Sequence, residues 1–172
     1  MYDLAILGGR VVDPENGIDQ VANVYLSQGR IAAVESAPPQ PAGSVVDATG
    51  CLVTPGLVDC HCHIYQYGTQ FGCGADATYL PMGTTCAIDA GSAGLDTFRG
   101  LQTRCLVPAE MRAFALVNVA PGGMPTERLP ENLDPRFWNA ADLKALVAEF
   151  APWVRGLMIR LSRRIVGALG LA

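Results

Sequence analysis

The sequence predicts an α/β fold, with a parallel sheet built from βα units preceded by a separate strand-rich segment. Three observations carry this. Residues 1–54 consist of short β-branched runs broken by Gly, Pro, Asn and Asp. After Pro55 the rhythm changes to mainly apolar runs that recur every few dozen residues, each followed by loop or helical sequence, as buried parallel strands require. Half of the 172 residues are hydrophobic, enough to fill a core.

Taken in order, the strands of the first segment are "DLAILGGRVVD", "VANVYLS", "GRIAAVE", "SVVDATG" and "CLVTPG", with turns at Pro14–Gly17 and Ser27–Arg30. Those of the second are "LVDCHCHI", "GTTCAIDAGSAG", "RAFALVNVAPGG" and "VRGLMIRLS". Between the second and third of these, a helix is expected from Leu95 to about Cys105, stopping before Pro108. Between the third and fourth comes a Pro- and Gly-rich loop, "PGGMPTERLPENLDP", and then the clearest helix, "NAADLKALVAEFAP". Asn139 can cap that helix, Asp142 sits in its positive first turn, and Pro152 ends it. Leu143, Leu146, Val147 and Phe150 recur at i, i+3, i+4 and i+7, a stripe that must bury against the sheet.

Composition excludes several classes. A net charge of -4 with only 12 Lys and Arg leaves no basic face for nucleic acid. The one basic cluster, Arg160, Arg163 and Arg164, reads as a strand end followed by a solvated loop. No run of about 18 uncharged apolar residues could span a membrane. The N-terminus has an acid at Asp3 and no secretory pattern, so a cytoplasmic location is expected. The 6 cysteines lack the spacing of a disulfide framework and are expected to be free thiols, mostly buried.

The chemistry concentrates in "PGLVDCHCHIYQ", which holds both histidines of the chain, His61 and His63. On a strand, residues two apart share a face, so Asp59, His61 and His63 point one way and Cys60 and Cys62 the other. The four Cys and His side chains therefore cannot all bind one ion. The histidines fall at the C-terminal end of the strand, where parallel α/β folds place their sites, and the cysteines are expected to pack against the outer helices.

"VTPGLVDCHCHI", preceded by "DLAILGGRVVDPENGID", "GRIAAV" and "VVDATG", resembles the start of the metal-dependent amidohydrolase superfamily, and "LPMGTTCAIDAGSAG" and "VRGLMIRLSRRIVGALG" look like strands 2 and 4 of a deacetylase-like, dihydroorotase-related subgroup. The resemblance implies an incomplete (β/α)8 TIM barrel, strands 1 to 4, in residues 55–172, preceded in residues 1–54 by part of a small β-sandwich. It implies hydrolysis of an amide or ester bond of a small polar molecule. It also implies that His61 and His63 bind a divalent ion, usually zinc, of which relatives hold two. In such relatives a carboxylated lysine on strand 4 bridges the ions, while histidines from strands 5 and 6 and an aspartate from strand 8 complete the site.

Two departures bear on activity. Met158 stands where the resemblance expects the bridging lysine, and its thioether is a poor ligand for hard ions. Some family members work with one metal and no lysine, however. The chain also stops at Ala172, just after strand 4, whereas a complete barrel takes about 250 residues. The chain alone is therefore expected to be inactive, a truncated product or a non-catalytic half-barrel that pairs with a partner chain, forms a homodimer or aggregates through open strand edges. Asp89 and Asn118, ending strands 2 and 3, either contact substrate or satisfy loop backbone groups. Arg160 either holds a substrate carboxylate or neutralises a neighbouring acid.

Overall fold

The computed structural model describes residues 1–129, 131–132, 134–162 and 166–167. The chain divides into two compact units, Met1–Pro55 and Gly56–Ala172.

In the first unit, β1 (Tyr2–Asp13) and β2 (Ile18–Ser27) form an antiparallel hairpin across the Pro14–Gly17 turn. β3 (Arg30–Glu35) returns antiparallel to β2 through Gln28 and Gly29, both at positive φ (52° and 71°), the backbone of the tight turns that match strand twist. β4 (Ala42–Asp47) and β5 (Leu52–Val53) both run parallel to β1. Val11, Ala22 and Val24 are buried, with Ile6, Ile18, Leu26, Val34 and Val53 packed around them. The described residues of this unit form one mixed sheet of five strands.

The second unit is built on four parallel strands in the order β6 (Leu57–Cys62), β7 (Thr84–Gly94), β8 (Arg112–Asn118), β9 (Val154–Met158). Chain order equals sheet order, so each crossover links neighbouring strands. The first contains α1 (Ala75–Tyr79) and a 3-10 turn at Leu80–Met82. The second contains α2 (Phe98–Leu101), which widens into a π turn at Gln102–Leu106, close to the span the sequence predicts. The third contains a 3-10 turn at Pro135–Phe137 and α3 (Ala140–Glu149).

α3 starts where the sequence places its cap, since the Asn139 side chain accepts hydrogen bonds from the amides of Ala141 and Asp142. Its Leu143, Leu146 and the following Phe150 are buried, and the Phe150 ring lies 5.2 Å from that of Phe98. Together with Leu101 and Leu106 they cover the small residues Ala87, Ala113 and Ala115 of the two central strands. Short side chains on the sheet let the helices approach closely, while the long residues come from the helices. The outer strands are less covered: Leu57 and Val58 on β6 and Leu157 on β9 are exposed. Arg163 and Arg164 of the basic cluster lie outside the described residues.

The cysteine expectation needs correction. All 6 are free thiols, but only Cys62 is fully buried, while Cys51 and Cys60 are exposed. Cys60 is exposed on the outer strand β6.

Candidate metal centre

Strand alternation at the end of β6 separates the two residue types. Cys62 turns into the helix-covered core, its Sγ 3.4 Å from the Ile88 carbonyl, and burial pushes its thiol pKa up to about 12, far from the thiolate a metal would need. His61 and His63 come together with ring centres 5.8 Å apart and planes perpendicular. An ion about 2.0–2.1 Å from one nitrogen of each ring, in tetrahedral geometry, would hold the ring centres roughly 5 Å apart, so a small side-chain adjustment suffices. Two imidazoles would supply two of the four coordination positions of such an ion.

His63 is half-buried, its ring 5.5 Å from that of Phe71, and its Nδ1 lies 2.9 Å from Ser92 Oγ. Burial lowers its pKa, with the charges of His61 and Arg160 acting in the same direction and those of Asp89 and Glu131 opposing. The neutral imidazole, the form that binds metals, is thereby favoured near pH 7. Asp59, on the same strand, turns its carboxylate onto the His61 amide (2.9 Å). Among the described residues, no third His, Cys, Asp or Glu joins the pair in a metal-holding cluster.

Asp89 and Asn118 are both 0% exposed, and both side chains bond to backbone groups. The Asp89 carboxylate accepts the amides of Ile64 (2.8 Å) and Ser92 (2.7 Å). Asn118 accepts the Ala120 amide (3.0 Å) and donates to the Gly91 carbonyl (3.0 Å). Their polar atoms tie the segments after β6 and β8 to the C-terminal part of β7. Met158, at the end of β9, packs over Gly91 of β7, its sulfur 3.8 Å from Asn118 Nδ2.

Arg160 pairs with Glu131 at 3.0 Å. The Glu131 side chain is 1% exposed and that of Arg160 is 40% exposed, so the acid is the buried partner. Glu131 comes from the Pro- and Gly-rich loop, where nothing in the local pattern marks one acid over its neighbours. Ser92 is equally silent in sequence, one small residue in a run of small residues.

Known proteins are similar to this chain in sequence and in fold. A deacetylase of Agrobacterium fabrum is 35% identical over 145 residues, covering 83% of this chain and 36% of the relative. A dihydroorotase of Geobacter sulfurreducens is 34% identical over 133 residues, covering 73% of this chain and 30% of the relative. A dihydroorotase crystal structure superposes with a TM-score of 0.86 at 27% identity, over 97% of this chain and 45% of the other. The chain belongs to the amidohydrolase superfamily. No protein-family model matches it. It spans about a third of the length of these curated relatives. Set against the barrels of this superfamily, the parallel sheet of the second unit is an incomplete (β/α)8 barrel, with β6 to β9 as its first four strands. No described helix is long and apolar enough to cross a membrane.

Proposed function

We propose that this chain provides the N-terminal part of a metal-dependent amidohydrolase that cleaves an amide or ester bond, C–N or acetyl, in a small polar substrate. The domain roles follow that frame: residues 1–54 belong to the family's β-sandwich, and residues 55–172 to the first half of its barrel. His61 and His63 hold one divalent ion, zinc, a metal suited to imidazole ligands. The observation that carries this is the paired rings 5.8 Å apart, with His63 kept neutral by burial. When bound, the ion would polarise the scissile carbonyl and lower the pKa of a water to roughly 7.

The chain's own residues prepare that site. His63 is oriented through Nδ1 by Ser92, leaving Nε2 for the ion. Arg160, aligned by Glu131 and partly exposed, offers its remaining donors to a polar group of the substrate. Two histidines supply half of the usual shell, so weak zinc binding and no hydrolysis above background are expected of the chain by itself. The test is hydrolysis of N-acetyl and O-acetyl compounds with added zinc and bicarbonate. Turnover that vanishes in His61→Ala would overturn the expectation of inactivity, and absence of zinc binding would overturn the metal assignment.

A second reading, a non-catalytic half-barrel that assembles with a partner chain or with itself, is favoured by the sheet edges. Leu57 and Val58 on one side and Leu157, Ile159 and Leu161 on the other are exposed. A groove of about 340 Å³ lined by Leu143, Val147, Gly156 and Leu157 runs along the β9 edge.

A further inference from the structure

Two cavities adjoin between the loop after β6 and the end of α2. The larger, about 480 Å³, is lined by Tyr65, Tyr67 and Gly68 of that loop and by Arg104 and Cys105 of the π turn. The smaller, about 250 Å³, shares Gln66, Arg104 and Cys105 with it, so the two form one crevice. Neither His61 nor His63 lines it. Arg104 is the one charged residue in the wall of the larger cavity, and among the described residues no acid pairs with it. The acid of the smaller cavity, Asp76, is turned onto the amides of Glu110 and Met111, both at 3.0 Å. Burial raises the pKa of the Cys105 thiol, which therefore adds no negative charge.

Much of the remaining wall is aromatic. The Tyr65 hydroxyl donates to the Thr97 carbonyl at 3.3 Å, and the side chain packs so tightly on Gly68 and Gly100 that a β-carbon on either would come within 2.3 Å of it. Tyr67 is the opposite case. It is 95% exposed and sits at φ 62°, a left-handed conformation unfavourable for a bulky residue. Within the chain, that strain brings no burial of the ring. A ligand covering the ring would offset it. Arg104 and Cys105 lie in the π turn closed by the Val107 amide on the Gln102 carbonyl at 2.9 Å, a rare widening of a helix that recurs at functional sites.

We propose that this crevice binds a small organic anion carrying a flat ring, with the anionic group on Arg104 and the ring against Tyr65 and Tyr67. A guanidinium matches a carboxylate bidentately, and tyrosine faces accept a planar ring. The larger cavity alone has the volume of ordinary small-molecule sites. This site does not depend on metal binding by the histidines.

The test titrates the metal-free, full-length chain at pH 7.5 with benzoate and with benzyl alcohol, an uncharged molecule of similar size, by calorimetry and by 15N–1H spectra. A single benzoate should bind per chain and shift the amide signals of residues 64–68 and 104–105, with benzyl alcohol weaker by about 10-fold or more. Arg104→Gln should reduce benzoate to the affinity of benzyl alcohol, and Tyr67→Ala should weaken both by about 2- to 10-fold. Three results with wild-type chain alone overturn the proposal: no binding of benzoate, no preference for benzoate over benzyl alcohol, or signal shifts confined to other residues. Unchanged benzoate affinity in folded Arg104→Gln overturns it equally. Zinc titration of the same chain reads the histidine pair separately, so failure there leaves the benzoate result standing.

Discussion

Met158 lies so close over Gly91 that a β-carbon on Gly91 would sit 2.8 Å from Met158 Cβ and 3.2 Å from its Sδ. Gly91 is also at φ +78°, a conformation costly for residues with a side chain. Gly91→Ala should therefore destabilise the chain by about 2 kcal/mol or more, from strain and overlap together. Adding Met158→Ala should recover only the overlap. Denaturant midpoints separate the two, and a Gly91→Ala midpoint equal to wild type would remove both causes.

Zinc retention should depend on the histidines and not on the neighbouring thiols. Bound zinc, measured after dialysis, should be lost in His61→Ala and in His63→Ala and kept in the Cys60→Ser, Cys62→Ser double variant. Cys62 faces the helix-covered core and its thiol is held protonated by burial. Loss of zinc confined to the cysteine variant would mean that the strand is rotated relative to the structure described.

Stability of the metal-free chain should fall on mild acidification. Burial places the His63 pKa below its ordinary 6.5, so the unfolded state binds a proton more readily than the folded one. The stability this contributes is fully present above about pH 6.5 and is lost as pH falls through the lower folded-state value. His61 and Arg160 reinforce the shift and Asp89 and Glu131 oppose it, so the slope is modest. Urea unfolding at pH 7.5 and pH 5.5 should show a smaller pH effect in His63→Gln than in wild type. Equal slopes would assign the loss to other groups.

Arg160→Met should cost more than removing both members of its pair. The single change leaves the Glu131 carboxylate, 1% exposed, without its cation, at a cost of about 1–3 kcal/mol once partial exposure of Arg160 is allowed for. Arg160→Met with Glu131→Leu replaces an ion pair by apolar contact and should recover most of that loss. A double mutant as unstable as the sum of the singles would indicate that the two residues act independently.

The isolated chain should be oligomeric or aggregation-prone. β6 and β9 each have one unpaired edge within the described sheet, and exposed Leu57, Val58 and Leu157 lie along them. Gel filtration with light scattering checks this. A monodisperse 18.1 kDa monomer that unfolds cooperatively would count against it.

Every strand of both sheets was legible in the sequence, because β-branched runs ended by Gly, Pro and Asn encode strand length locally. α3 was legible for a similar reason: Asn139 and the Leu143, Leu146, Phe150 stripe state its start and its buried face within one short segment. Burial of the cysteines was misjudged, because burial depends on which strands lie at the edge, and Cys60 is on one. The pairing of Asp89 with Ile64 and of Arg160 with Glu131 was equally out of reach, since each partner lies more than 20 residues away in the chain.

The sequence by itself determined the order of elements, the shared face of His61 and His63 and the turning away of Cys62, since all three follow from strand periodicity over a few residues. Tertiary structure alone decided that Ser92 meets His63, that Glu131 pairs with Arg160, and that Asp89 and Asn118 serve the backbone. The long-range members of this set, His63 with Ser92, Asp89 with Ile64 and Asn118 with Gly91, join residues 25 to 29 positions apart, and Ser92 is a side chain too ordinary to signal its role. Strand pairing brings them within bonding distance, and burial then obliges each polar atom to find its partner.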